Sequence, residues 1–208
     1  MLHLAPEIRL AQYFRSVLGA GYHPVDIAPE RYPWEVVRRF DLATDAESLA
    51  TRSYDIILHS HVMEHIRCNV TAALFHLHRA LTTDGYHIFC IPIYPGTYAA
   101  DFGDISRDRA TKEFGQHDHV RRFGSDDLQF TLGMIFKLPL LYDLTHQVPA
   151  EDLDACNIPN YARKGWSVHS VLVMRKDDIR LYDSGVEHDW AGDNWSRNED
   201  FGRHFDRG

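Results

Sequence analysis

The chain has 208 residues, room for one domain, or one domain with an arm, and for a sizeable core. Asp and Glu outnumber Lys and Arg by 30 to 22, and the resulting charge of −8 offers no general field for a phosphate backbone, which speaks against a nucleic-acid acceptor. Cys68, Cys90 and Cys156 form neither a disulfide framework nor a zinc-ribbon spacing, so a reducing cytoplasm is the default; no window nears the run of about 18 apolar residues that spans a bilayer, so no membrane partner is expected.

Apolar runs alternate with helical periods, the pattern of crossover units in a parallel sheet. Met1 to Ala5 is a short first strand broken by Pro6. A helix follows from Glu7 to Leu18, with Ile8, Leu10, Ala11, Phe14, Val17 and Leu18 at helical spacing and Gly19 and Gly21 as its stop. Tyr22 to Ile27, Val36 to Phe40 and Tyr54 to His59 suit strands two to four, the last a buried run. Asn69 can cap a helix whose stripe is Val70, Ala73, Leu74, Leu77 and Leu81, with Asp84-Gly85 as the turn into a fifth strand over Tyr86 to Ile91. Tyr94 to Phe123 has no strong period and reads as a long loop, functional or disordered. Ser125 can cap a helix through Leu132 closed by Gly133, and Ile135 to Leu144 with Val168 to Met174 suit a terminal antiparallel hairpin. The domain is expected over 1–176, with 177–208 a charged and aromatic tail or arm.

In open α/β sheets, ligands sit beyond the carboxyl ends of the strands. Asp26 ends strand two, 19 residues after Glu7, near the spacing of about 20 at which a carboxylate reaches both ribose hydroxyls of a nucleotide; a turn former is the alternative. Asp41 can accept from an exocyclic adenine amine while Leu42 packs on the ring, or serve as a plain loop carboxylate. His59, His61, Glu64 and His65 invite a metal reading, but extended and helical spacing cannot both place the three histidines on one face, so no metal is expected from them. His76, His78 and His87 read as surface or half-buried residues. In Phe114 to Gly124, His119 can act as a general base oriented by Asp118 while Arg121 holds an anionic group, or the same groups can pin the loop.

Taken together, Asp55-Ile56-Ile57-Leu58-His59-Ser60-His61-Val62-Met63-Glu64-His65-Ile66 and His76-Leu77-His78-Arg79-Ala80-Leu81-Thr82-Thr83-Asp84-Gly85 resemble the "HVLEH" and "L-x-R-V-L-K-P-G-G" signature of small class I S-adenosylmethionine-dependent methyltransferases. Phe114 to Arg121 with Phe123-Gly124 is similar to the "FGQ-x-DHVR-x-YG" segment of one bacterial branch. The resemblance runs over about Met1 to Lys176 and implies a Rossmann-like α/β fold, a mostly parallel seven-stranded sheet with its last strand antiparallel. It also implies S-adenosylmethionine as cofactor, with Asp26 on the ribose, Asp41 and Leu42 flanking adenine, and Ser60 and His61 lining the sulfonium side. A small-molecule or saccharide acceptor follows at family level.

His3-Leu4-Ala5-Pro6-Glu7 departs from that pattern, standing where an acidic residue and several glycines are expected. Ala5 and Pro6 leave less room than glycine, and Glu7 would have to accept from the cofactor's ammonium, unless it only favours the helix start. The helices that usually precede the first strand are not expected here, so the pocket should be more open, unless the tail or a second copy in a homodimer closes it. Three readings follow: an active methyltransferase, a binding or scaffold protein that kept the fold, and a metal-assisted hydrolase built on His59, His61, Glu64 and His65.

Overall fold

The computed structural model describes residues 1–181. Its sheet grows outward from a short, wholly buried central strand, β1 (Leu2–Leu4). β2 (His23–Asp26) and β4 (Tyr54–Ser60) flank it in parallel, with Leu4 level with Val25 on one side and His59 on the other. β3 (Arg38–Arg39) pairs with β2, and β5 (Leu81–Cys90) with β4, both parallel. β9 (Val171–Arg175) closes the order β3-β2-β1-β4-β5-β9 and runs antiparallel to β5.

The crossovers carry helices, as right-handed parallel connections require. α1 (Ile8–Leu18) ends where Gly19 takes φ 52° and returns its N–H to the Arg15 carbonyl. α2 (Leu42–Asp45) is a single turn, and α3 (Val70–Arg79) starts at Asn69, whose side chain accepts from the Thr71 N–H. The face of α3 that buries Leu74 and Leu77 packs into a cluster with Leu2, Ile57, Phe89 and Phe136. No helix among the described residues is long and apolar enough to cross a membrane.

Five local expectations change. The main sheet has six strands among the described residues, because Ile135 to Leu144 forms no strand. Phe136 makes one isolated bridge to Ile179, Pro139 supplies no N–H to continue a ladder, and β9 takes the edge of β5 directly. The stretch after Ser125 gives a 3₁₀ turn at Leu128–Phe130 and a short helix α5 (Leu132–Ile135) in place of one longer helix. The segment read as a loop, 94–123, holds structure: β6 (Ile93–Tyr94), β7 (Ala99–Ala100) and β8 (Arg121–Gly124) make a small sheet, and α4 (Arg107–Phe114) is capped by Ser106 and closed by Gly115 at φ 93°. Core contacts continue past 176, since Ile179 is buried and the Lys137 N–H donates to the Asp178 carbonyl; the rest of the expected arm, 182–208, lies outside the described residues. His78 and His87 lie in the core, where the sequence suggests surface or half-buried positions. α6 (Ala150–Ala155) and α7 (Asn160–Arg163) fill the connection into β9.

Candidate functional site

The parallel register brings the carboxyl ends of β1, β2, β3 and β4 to one edge of the sheet. At the end of β1, Ala5 holds φ 50°, the left-handed backbone that glycine adopts without strain, and its N–H donates to the Val25 carbonyl. Glu7 occupies the N-cap of α1 but makes no side-chain cap bond. Its carboxylate lies 3.0 Å from Nε2 of the buried His3, whose Nδ1 lies 2.8 Å from the Tyr22 hydroxyl. Burial raises the Glu7 pKa, but its lowering partners, the His3 hydrogen bond the largest of them, outweigh it and hold the carboxyl below its usual range.

Asp26, half-buried at the end of β2, shapes its own loop: Oδ1 accepts from the Ala28 N–H and Oδ2 from the Tyr32 hydroxyl, each at 2.8 Å. Each oxygen keeps a further lone pair. Burial, then the bond to Asp26, raises the Tyr32 phenol well above its ordinary pKa, so it stays a donor. Asp41 caps α2 by accepting from the Ala43 N–H, and Leu42 turns its side chain into the core.

Beyond β4, the turn is tight. His61 takes φ 53°, donates its N–H to the Cys90 carbonyl, and sets Nδ1 3.1 Å from Glu64 Oε1 and Nε2 3.8 Å from the Cys90 sulfur. Cys90 and then Glu64 raise the His61 pKa. Glu64 is fully buried, and its carbonyl accepts the Val120 N–H, which pins the 116–121 segment against the end of β4.

That segment departs from the arrangement adjacency suggests. His119 is buried, and its Nδ1 meets the Phe114 carbonyl at 3.0 Å rather than Asp118. Its ring stands edge-on to His65, centroids 4.7 Å apart, and it is His65 Nδ1 that faces Asp118, at 3.5 Å. Burial raises the Asp118 carboxyl, but the Gln116 amide and the His65 charge together hold it below the usual range. Arg121 is fully buried, with Nη2 donating to the Ile66 and Cys68 carbonyls and the guanidinium 5.0 Å over the Phe102 ring, an anchor for the 66–68 turn. The structure thus brings Glu7, Ser60, His61, Glu64, His65 and His119 to one edge. Glu64 and His65 stand in the recognised segment, but their convergence with His119 is a tertiary contact that spacing cannot show.

Beside this edge a cleft of about 480 Å³ opens between the start of α3, Tyr98 to Phe102, and α5, lined by Cys68, Val70, Phe102, Phe123, Met134 and Ile135. Another cavity, of about 430 Å³, lies between the end of β3 and the start of β4, lined by Arg38, Arg39, Phe40, Asp45, Ser53 and Tyr54.

A mostly parallel sheet, of six strands among the described residues, with helices in its crossovers defines a Rossmann-like fold of the class I methyltransferase type. Residues 3–130, more than half of the chain, match the family described as a methyltransferase domain, and the chain belongs to that family, whose methyl donor is S-adenosylmethionine. No curated protein matches. Among solved structures, the chain is similar to a Mesorhizobium loti S-adenosylmethionine-dependent methyltransferase at 15% identity, over 83% of this chain and 87% of that one, with a TM-score of 0.45. The Burkholderia thailandensis 1,6-didemethyltoxoflavin-N1-methyltransferase is 18% identical over 64% and 58%, TM-score 0.41. The chain spans 30% of the trans-methyltransferase CalH, matching 42% of its own length at 18% identity and TM-score 0.33.

The residues present fit the donor. Ala5 holds a left-handed backbone, and Asp26 keeps lone pairs for hydroxyl donors.

Proposed function

We propose that the chain transfers a methyl group from S-adenosylmethionine to an oxygen or nitrogen of a small-molecule or saccharide-type acceptor. The donor supplies an electrophilic methyl group on a sulfonium; the chain's residues position it and handle the acceptor's proton. The observation that carries the reading is the single edge on which Ala5, Asp26, Asp41 and Ser60 follow four successive parallel strands. Asp26 accepts from the ribose, Asp41 with the backbone of Leu42 flanks adenine, Ala5 and Glu7 receive the methionine end, and Ser60 and His61 line the sulfonium side.

His119 is the proposed base. A neutral ring whose Nδ1–H donates to the Phe114 carbonyl presents its lone pair at Nε2, ready to accept a proton. Asp118 acts at one remove, by orienting His65 against that ring, and Arg121 holds the 66–68 turn from beneath the site. The neighbouring cleft, with Phe102, Phe123 and Met134 on its walls, suits an acceptor with an apolar face. Leu10, Tyr13 and Val17 leave an apolar stripe exposed on α1, which supports pairing with a second copy, and a reducing cytoplasm suits the free cysteines.

A non-catalytic reading has two observations in its favour: Glu7 is already engaged by His3, and Ala5 carries a Cβ into the turn. Calorimetric titration with S-adenosylmethionine and S-adenosylhomocysteine separates the two. Micromolar binding lost in Asp26→Ala is expected, with His119→Asn keeping that binding while losing transfer in an acceptor screen. Absence of binding to folded protein would leave the scaffold reading.

A further inference from the structure

Glu64, His65 and His119 each offer a donor atom, and these atoms lie within 4.8 Å of one another. The Glu64 side chain is completely buried; Oε1 meets His61, and Oε2 has no hydrogen-bond partner among the described residues. A buried carboxylate oxygen left without a donor is costly, and buried charges are ordinarily paired or bound to a cation.

His65 stands within ion-pair range of a carboxylate that can hold its ring, and His119 is held in the way a metal-bound imidazole is. Such a ring donates its second N–H to a carbonyl or carboxylate, which fixes the tautomer and leaves the other nitrogen free. His119 Nδ1 lies 3.0 Å from the Phe114 carbonyl and His65 Nδ1 lies 3.5 Å from Asp118 Oδ2. Neither Nε2 makes a hydrogen bond among the described residues. The outer groups are themselves tied down, since Gln116 donates to Asp118 Oδ1 and Phe114 ends α4 ahead of Gly115. One carboxylate and two imidazoles make a mixed oxygen and nitrogen set suited to a divalent transition ion with a coordination position open.

We infer that Glu64, His65 and His119 form a three-ligand site for a divalent first-row transition metal, zinc being the natural probe. This set differs from the one the sequence suggests, because His59 points into the core and His61 faces Cys90, while His119 arrives from another segment. The site itself does not depend on the methyltransferase reading; its use in transfer does. The His119 Nε2 lone pair serves either as ligand or as base. A metal-loaded chain therefore acidifies an acceptor hydroxyl by the ion's charge, the proton passing to solvent.

The test is direct. Plasma mass spectrometry on the purified full chain, then calorimetric titration of the chelator-treated chain with zinc sulfate, is expected to give one saturable site per chain. Glu64→Gln, His65→Asn and His119→Gln are each expected to weaken zinc by about ten- to a hundredfold or more, and His146→Ala to leave it unchanged. Cobalt(II) in the same site should show visible bands of low-symmetry coordination that these three variants erase. Circular dichroism and S-adenosylhomocysteine affinity report the fold and the donor site separately. Lack of saturable binding to the intact chain, or binding indifferent to all three substitutions, overturns the site.

Discussion

Ala5 carries a left-handed backbone, φ 50°, a conformation that glycine adopts without strain. An L-residue gives up about 1–2 kcal/mol there, while glycine costs about 0.5–1 kcal/mol more chain entropy on folding. Ala5→Gly is therefore expected to leave stability unchanged or raise it by up to about 1.5 kcal/mol. Removing the Cβ opens the turn, so S-adenosylhomocysteine should bind more tightly. Thermal unfolding and titration measure the two effects, and a weaker complex would show that this Cβ does not limit the site. The same residue shows what was legible at this scale. Spacing marked Asp26, and the family resemblance Ala5 and Glu7, as positions beyond the strands, but neither showed that His3 claims the Glu7 carboxylate. Adjacency paired Asp118 with His119, yet neighbours in a tight turn face different ways, and each found a partner elsewhere in the fold.

Elements with a broad buried face were the readable ones. α3 buries Ala73, Leu74 and Leu77 on one stripe, so its period shows in the sequence, as does its Asn69 cap. α4 buries only Ala110 and Phe114 and is otherwise charged, so no period announces it; Ser106 and Gly115, at its two ends, were the available signal. In the opposite direction, the apolar residues from Ile135 to Leu144 imitate a strand. Ile135, Phe136 and Leu138 are buried, but Leu140 and Leu141 beyond Pro139 are not, and no ladder forms. The small sheet was illegible because its strands are two to four residues long. Its integrity rests on a close approach: a Cβ on Gly124 would stand 2.1 Å from the Gly96 carbonyl oxygen and 2.4 Å from the Thr97 carbonyl carbon, both backbone atoms. Gly124→Ala is expected to cost about 1–3 kcal/mol or more, since the turn must shift as a unit. Urea unfolding would read it, and because β8 continues from Arg121, affinity for zinc should fall with stability.

Taken whole, the core holds an acid-sensitive group that composition alone does not reveal. His59 and His87 face each other with Nε2 atoms 3.0 Å apart, one donating and the other accepting, so the pair is neutral when the chain is folded. Phe89 stacks on His59 at 5.0 Å, and His78 beside them donates Nε2–H to the Lys176 carbonyl. Burial lowers the pKa of His59 to about 3 and of His78 to about 4, and pushes that of His87 well below its ordinary value. An unfolded chain binds protons on all three near pH 6.5, so below that pH it holds more protons than the folded chain. Stability therefore falls as pH drops from about 6.5 toward these depressed values, by up to about 1.4 kcal/mol per pH unit for each ring. The raised pKa of His61 works the other way, but its contribution is complete below 6.5 and offsets nothing in that window. Glu7 and Asp118, held below their usual values, act only lower still, as carboxylates begin to protonate. Urea midpoints at pH 7, 6 and 5 should fall steeply, approaching uptake of about three protons on unfolding. A flat profile between pH 7 and pH 5 would mean that these rings do not stay neutral inside the fold.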